Sequence, residues 1–272
     1  MIVIEKRGDL MTILRSLGLG LLYAVFMLFP DDSYRQMFST ADALDYSAAE
    51  SPSELSYLFE APTEVKEESV MMTEHLIDVD SLSQLPEYLN GCEITSLAML
   101  IDYEQLPYTR KDLIRMLPVD ETPLIEEDGG DIEQWGDPNR GFVGDITGNQ
   151  KGYGVYNKPI EDLLNSIAAD GVLNLTGGDF EAVEEQIAHD HPVMVWTTSN
   201  FEPTESWVEW RSQAGSLIEA TFDEHAVLMV GYDKDYVYVN DPLTGEKAEK
   251  VLKHPFIESW EQLGKQAITI YK

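Results

Sequence analysis

Hydrophobic spacing changes character part-way along this chain. Up to residue 187 the apolar side chains recur at helical intervals: Ile94, Leu97, Ala98, Leu100 and Ile101, then Leu113, Ile114 and Met116, then Ile160, Leu163, Leu164 and Ile167, then Phe180, Val183 and Ile187. From residue 192 they run continuously or alternate, as in Pro192-Val-Met-Val-Trp-Thr-Thr198, Ala226-Val-Leu-Met-Val-Gly-Tyr232 and Tyr236-Val-Tyr-Val239. These are strand patterns, and Asp233-Lys234-Asp235 fits a turn joining the last two. A short helix over 256–263 and a closing strand over 267–271 complete the series. Helices first and strands later predict an α+β fold, with an N-terminal helical part packed on an antiparallel sheet. Punctuation agrees with this reading. Thr109 and Asp179 stand where helix N-caps belong, and Pro159 suits a first helical turn. Residues 120–154, rich in Asp, Gly, Pro and Asn, read as a long loop of the kind that carries function.

The first 74 residues belong to another regime. Lys6, Arg7 and Arg15 precede an apolar run over 17–29, which Pro30 ends. The run is short for a membrane span and suits a signal peptide, so 1–30 is expected to be an export signal or an uncleaved N-terminal anchor. Ser39-Thr40-Ala41 is the nearest small-x-small cleavage candidate. Residues 31–74 read as an acidic linker and 75–272 as the folded domain. The expected location is extracytoplasmic, with no stable membrane insertion unless the N-terminal segment stays uncleaved. The formal net charge of −32 opposes nucleic-acid partners and anionic lipid, which both need clustered Lys and Arg. It predicts a solvated acidic surface.

Cys92 is the single cysteine, so it forms no internal disulfide. It is an inert core thiol, an intermolecular link or a nucleophile. Asn90-Gly91 resembles a turn, and the helical pattern begins just after it. Cys92 should therefore occupy a first helical turn, where unpaired N–H groups and the helix dipole favour a thiolate. His225 opens one predicted strand, and Asp241 follows the next in Asn240-Asp241-Pro242. Cysteine, histidine and a carboxylate in this order form a plausible nucleophile, base and orienter.

At these residues the chain resembles the bacterial C39-like peptidases, a branch of the papain-like cysteine peptidase superfamily. The likeness rests on Gln84-Leu-Pro-Glu, Gly91-Cys-Glu-Ile-Thr-Ser, Gly141-Phe-Val-Gly, Gly152-Tyr-Gly-Val-Tyr, Pro192-Val-Met-Val-Trp, His225-Ala-Val-Leu-Met-Val-Gly-Tyr and Val239-Asn-Asp-Pro. The spacing from Cys92 to His225 falls in the interval of about 130–150 residues seen in papain-like enzymes. The resemblance implies a papain-like fold with Cys92 as nucleophile, His225 as base, Asp241 as orienter and Gln84 in the oxyanion hole. Asn90 is a weaker alternative donor and Asn240 a weaker alternative orienter. The implied protein is an exported cysteine peptidase that hydrolyses a peptide or amide bond through an acyl-enzyme. It takes a peptide or protein substrate and needs no cofactor and no metal. A cell-wall peptide amidase or transpeptidase on the same scaffold is one alternative, and a non-catalytic peptide-binding module is another. Three minor signals remain. Glu93 could tune the nucleophile, face solvent or pair with a distant cation. Asp128-Gly-Gly-Asp131-Ile-Glu133 carries oxygen ligands without EF-hand spacing, so an ordinary acidic loop is expected there rather than calcium. His189-Asp190-His191 lacks a nearby third ligand, so no metal is expected there.

Overall fold

The structure is a computed structural model that describes residues 73–168 and 171–271. The expected signal segment and most of the expected linker lie outside these residues. Among the described residues, no helix is long and apolar enough to cross a membrane.

The main sheet is antiparallel throughout. Its spatial order runs β13 (Glu249–Leu252), β12 (Tyr236–Asn240), β11 (Glu224–Tyr232), β8 (Val193–Thr198), β14 (Ala267–Ile270) and β7 (Val172–Asn174), and β1 (His75–Leu76) joins the end of β11. β8 is buried at all six positions, which is why its sequence is a continuous apolar run. Successive strand residues face opposite ways. On one side Thr197 shares a hydrogen bond with Ser259 of α5 (Lys253–Gln262), at 2.5 Å. The neighbouring Trp196 donates its indole N–H to the carbonyl of Val155 at 3.0 Å. α4 (Phe180–Ala188) and α5 meet through edge-on contacts of Phe180 with Trp260 and Phe256, centroids 5.2 and 6.2 Å apart. Beside β1 the sheet needs a glycine. A Cβ on Gly231 would lie 2.7 Å from the His75 carbonyl oxygen.

α1 (Cys92–Tyr103) is buried from Cys92 to Ile101, on its polar side as well as its apolar one. That burial is tolerable because the polar groups are satisfied. Ser96 donates to the carbonyl of Ala226 on β11 at 3.0 Å, and Glu93 accepts from the backbone of Val155 at 2.6 Å. α2 (Arg110–Met116) begins at Thr109 with a reciprocal capping box to Asp112. α3 (Asn157–Ile167) buries Pro159, Ile160, Leu163 and Leu164. Asp179 stands at the N-cap of α4 but makes no side-chain cap hydrogen bond.

Residues 120–154 are more ordered than a loop. They contain β3 (Ile125–Glu126), β4 (Ile132–Gln134), β5 (Phe142–Gly144) and β6 (Gly152–Gly154). With β2 (Val119–Asp120) and the hairpin of β9 (Val208–Arg211) and β10 (Leu217–Ala220) they build two small sheets, β2-β5-β6 and β10-β9-β4-β3. Strands of two or three residues carry too little periodicity to register in a sequence pattern. They enclose a second core of Trp135, Trp210 and Tyr153, with Tyr153 packed edge-on against Phe222 at 5.8 Å.

Candidate active site

Three chain segments converge on the start of β11. Gly91 N-caps α1 without a side-chain contribution, so Cys92 takes the first helical position. Ser96, one turn later on the same face, ties α1 to Ala226. The sequence neighbour of Ala226 is His225, which opens β11 together with Glu224. Asp241 follows β12, and the pairing of Leu228 with Asn240 brings it beside the start of β11. The His225 Nε2 and Asp241 Oδ1 atoms are 2.6 Å apart and both residues are buried.

Burial raises the Asp241 carboxyl, but the hydrogen bond and charge of His225 outweigh it. With the N–H of Leu243 they hold it below the usual carboxylate value. Asp241 is therefore the acceptor and Nε2 the donor. In the neutral imidazole this leaves Nδ1 as the basic nitrogen. Asn240 does not compete for His225. Its amide donates to Val79 and accepts from Ala248, at 3.0 and 2.9 Å.

Gln84 is buried, and its backbone N–H donates to the carbonyl of Pro242, next to Asp241, at 2.8 Å. One amide hydrogen is spent on the Leu89 carbonyl at 2.7 Å, which leaves the second. Asn90 spends its side-chain amide on the Asp145 carbonyl, holding the 145–152 segment against the start of α1. Leu89, Asn90, Gly148, Gln150, Lys151, Gly152 and Phe222 line an open depression of about 370 Å³. Asn90 stands two positions before Cys92, so the depression reaches the segment that leads into α1.

The thiol itself departs from expectation. Burial pushes Cys92 well up, and the carboxyls of Glu93 and Glu224 add to it, while the Ala226 N–H opposes them. The thiol donates to Glu93 Oε2 at 3.3 Å. The helix N-terminus that should favour a thiolate is thus outweighed at rest by desolvation and two carboxyls. Glu93 does not face solvent, and among the described residues it pairs with no cation; it is fully buried between Cys92 and the Val155 N–H. Among the described residues, Cys92, Glu93 and Glu224 are the one group of three such side chains close enough to share a cation, their ligand atoms within 4.8 Å of one another. Sequence reading missed Glu224, because a glutamate at a strand start carries no signal until the fold lays it beside Cys92.

Among the described residues, the 128–133 carboxyls form no such group. His189 and His191 engage the Glu185 carbonyl and the Gln186 side chain, and Asp190 engages His75.

The model of the Peptidase C39-like family matches residues 76–268. The chain belongs to this C39-like peptidase family. "Uncharacterized protein YvpB" of Bacillus subtilis (strain 168) is 41% identical over 198 residues, covering 72% of this chain and 76% of that one. A solved structure from Bacillus anthracis, described as a candidate C39-like peptidase, superposes with a TM-score of 0.66 at 32% identity. It matches 73% of this chain and 98% of its own. The α+β, papain-like fold expected from the sequence is the fold of this C39-like chain.

Proposed function

We propose that this C39-like protein is an exported cysteine peptidase that hydrolyses a peptide or amide bond. The observation that carries the reading is the buried 2.6 Å pair of His225 and Asp241, one residue from Ala226, which ties β11 to the Cys92 helix through Ser96. In this reading the Cys92 thiol turns from Glu93 towards Nδ1 of His225, which accepts its proton. The sulfur attacks the scissile carbonyl carbon. The oxyanion is held by the Cys92 backbone N–H, unpaired in a first helical turn, and by the second amide hydrogen of Gln84. His225 returns its proton to the leaving amine, and water then hydrolyses the thioester with His225 again as base. Asp241 keeps Nε2 protonated and the ring oriented. Residues 75–272 form the catalytic domain, 31–74 an acidic linker, and 1–30 an export signal or anchor.

The test is turnover of a mixed peptide library by the full chain, read by mass spectrometry of new termini. Cleavage is expected in the wild type and lost in Cys92→Ala and His225→Ala, with circular dichroism at the assay temperature checking that each variant is folded. Cleavage that persists in Cys92→Ala sinks the mechanism. Fractionation of expressing cells tests export, and retention of residues 1–30 in a cytoplasmic protein refutes it.

A further inference from the structure

A second cavity of about 470 Å³ opens between the start of α3, the end of α5 and the β9–β10 hairpin, and it shares no lining residue with the depression beside α1. Its size is that of a small-molecule site. Trp207 forms one wall. The ring is half-buried, yet among the described residues it stacks on no other ring and packs into neither hydrophobic core. The chain nevertheless fixes it in place. Its indole N–H donates to the Thr204 carbonyl at 3.2 Å, and its backbone N–H to the Glu205 carbonyl at 3.2 Å. Gln262, at the end of α5, grips Thr204 in turn. It accepts from the Thr204 N–H at 2.9 Å and donates to the Thr204 carbonyl at 2.7 Å. The indole is thus held by its edge while its face is left without a ring to stack on, which is a pre-organised surface for an outside ligand.

The polar groups of the cavity wall define the ligand. Asn157, half-buried at the start of α3, spends its backbone N–H on Gln266 Oε1 at 2.9 Å. Among the described residues its side-chain amide has no partner, so two donors and an acceptor remain. Asn139 spends its amide nitrogen on Asp137 Oδ1 at 3.1 Å and keeps its carbonyl oxygen as an acceptor. Val208, Trp210, Ile218 and Ala220 face the second core, so strand alternation turns Glu219 to the other face. There it is exposed, and among the described residues it is the one charged residue of the cavity wall. An anionic ligand would meet Glu219 with no cation to receive it. A purely apolar ligand would strip water from the Asn157 amide and give nothing back. An ammonium ligand would answer Glu219 but offer no acceptor to the Asn157 donors. We propose that this cavity binds a neutral sugar residue. Its C–H face covers the Trp207 ring, and its hydroxyls, each both donor and acceptor, accept from Asn157 and donate to Glu219 and Asn139. The site performs no chemistry and stands whether or not Cys92 cleaves peptides.

The experiment titrates the ¹⁵N-labelled full chain with glucose, N-acetylglucosamine, cellobiose and N,N′-diacetylchitobiose, and separately with choline chloride. The readout is the indole N–H resonance of Trp207, assigned by its disappearance in Trp207→Phe. At least one sugar should shift that resonance with a Kd of roughly 0.1–10 mM, the range of a few hydrogen bonds and one stacked face. Binding followed through the remaining resonances should weaken about tenfold or more in Trp207→Ala and several-fold in Asn157→Ala, and Trp207→Phe, which keeps a ring, should retain most of it. Circular dichroism checks that each variant is folded. Should Trp207→Ala not fold, Glu219→Ala, at an exposed position of β10, takes its place with a several-fold loss expected. A Trp207 resonance that no sugar moves overturns the proposal. Sugar affinity unchanged in the folded variants also overturns it, because the sugar then binds elsewhere. A shift with choline and with none of the sugars overturns it in favour of a cation site.

Discussion

Replacing Glu93 by Gln should make the protein more stable at alkaline pH and leave it nearly unchanged in mild acid. Burial drives the Glu93 carboxyl from 4.5 up to about 7, against the opposing hydrogen bonds from Val155, its own backbone N–H and Cys92. A carboxyl raised on folding stabilises the native state fully below its unfolded value, and that contribution is lost as pH rises through the folded value. The window here is therefore from about 4.5 to somewhat above 7. At 1.36 kcal/mol per unit, the loss across it is about 3 kcal/mol. The glutamine side chain of the Glu93→Gln variant does not ionise, and its amide oxygen can still accept from Val155. The Glu224 carboxyl, raised first by its own burial and then by Glu93, would lose the second of those pressures, which acts in the same direction. Urea titrations at pH 5 and pH 8 measure the effect as a difference between wild type and variant. This difference also cancels the general acidic self-repulsion common to both. The variant should gain on the order of 3 kcal/mol over wild type between the two pH values, or roughly 6–12 °C in melting temperature. Parallel profiles for the two proteins would refute the buried-carboxylate reasoning.

The remaining expectations concern the nucleophile, its orienter and the surface. Cys92 in the native protein at pH 7 should react with iodoacetamide more slowly than an exposed thiol, and Glu93→Gln should speed it, because one of the carboxyls that push the thiol up is gone. A slower variant would make Glu93 a base instead. Asp241→Ala should lower kcat by less than Cys92→Ala and should weaken the fold, since Asp241 also accepts the Leu243 N–H at 2.8 Å; steady-state kinetics beside a thermal melt separates the two effects, and an unchanged kcat removes Asp241 from the mechanism. The net charge of −32 predicts a melting temperature that rises from low to molar salt as repulsion is screened, and a flat curve in both chloride and sulfate opposes it.

Local pattern in the chain was enough for the elements whose stability is local or whose burial is uniform. The helix at Cys92, the Thr109 cap, the run of β8 and the turn after β11 all follow from spacing and side-chain chemistry within about a dozen neighbours. The order of Cys92, His225 and Asp241 was legible as well, because a turn before a helix and a residue at a strand end are sequence-visible places. The small sheets of 120–154 and 208–220 were not, since strands this short gain their hydrogen bonds from partners distant in sequence, as where β9 pairs with β4. The electrostatics of the thiol was likewise hidden. A helix N-terminus is a local property and argues for a thiolate. The two carboxyls that argue against it come from the next residue, turned inward by the Val155 N–H, and from a glutamate 132 positions away, carried there by β11. Only tertiary structure brings such groups together and removes the water that would otherwise screen them, and that exclusion of water is what gives charge its weight at this site.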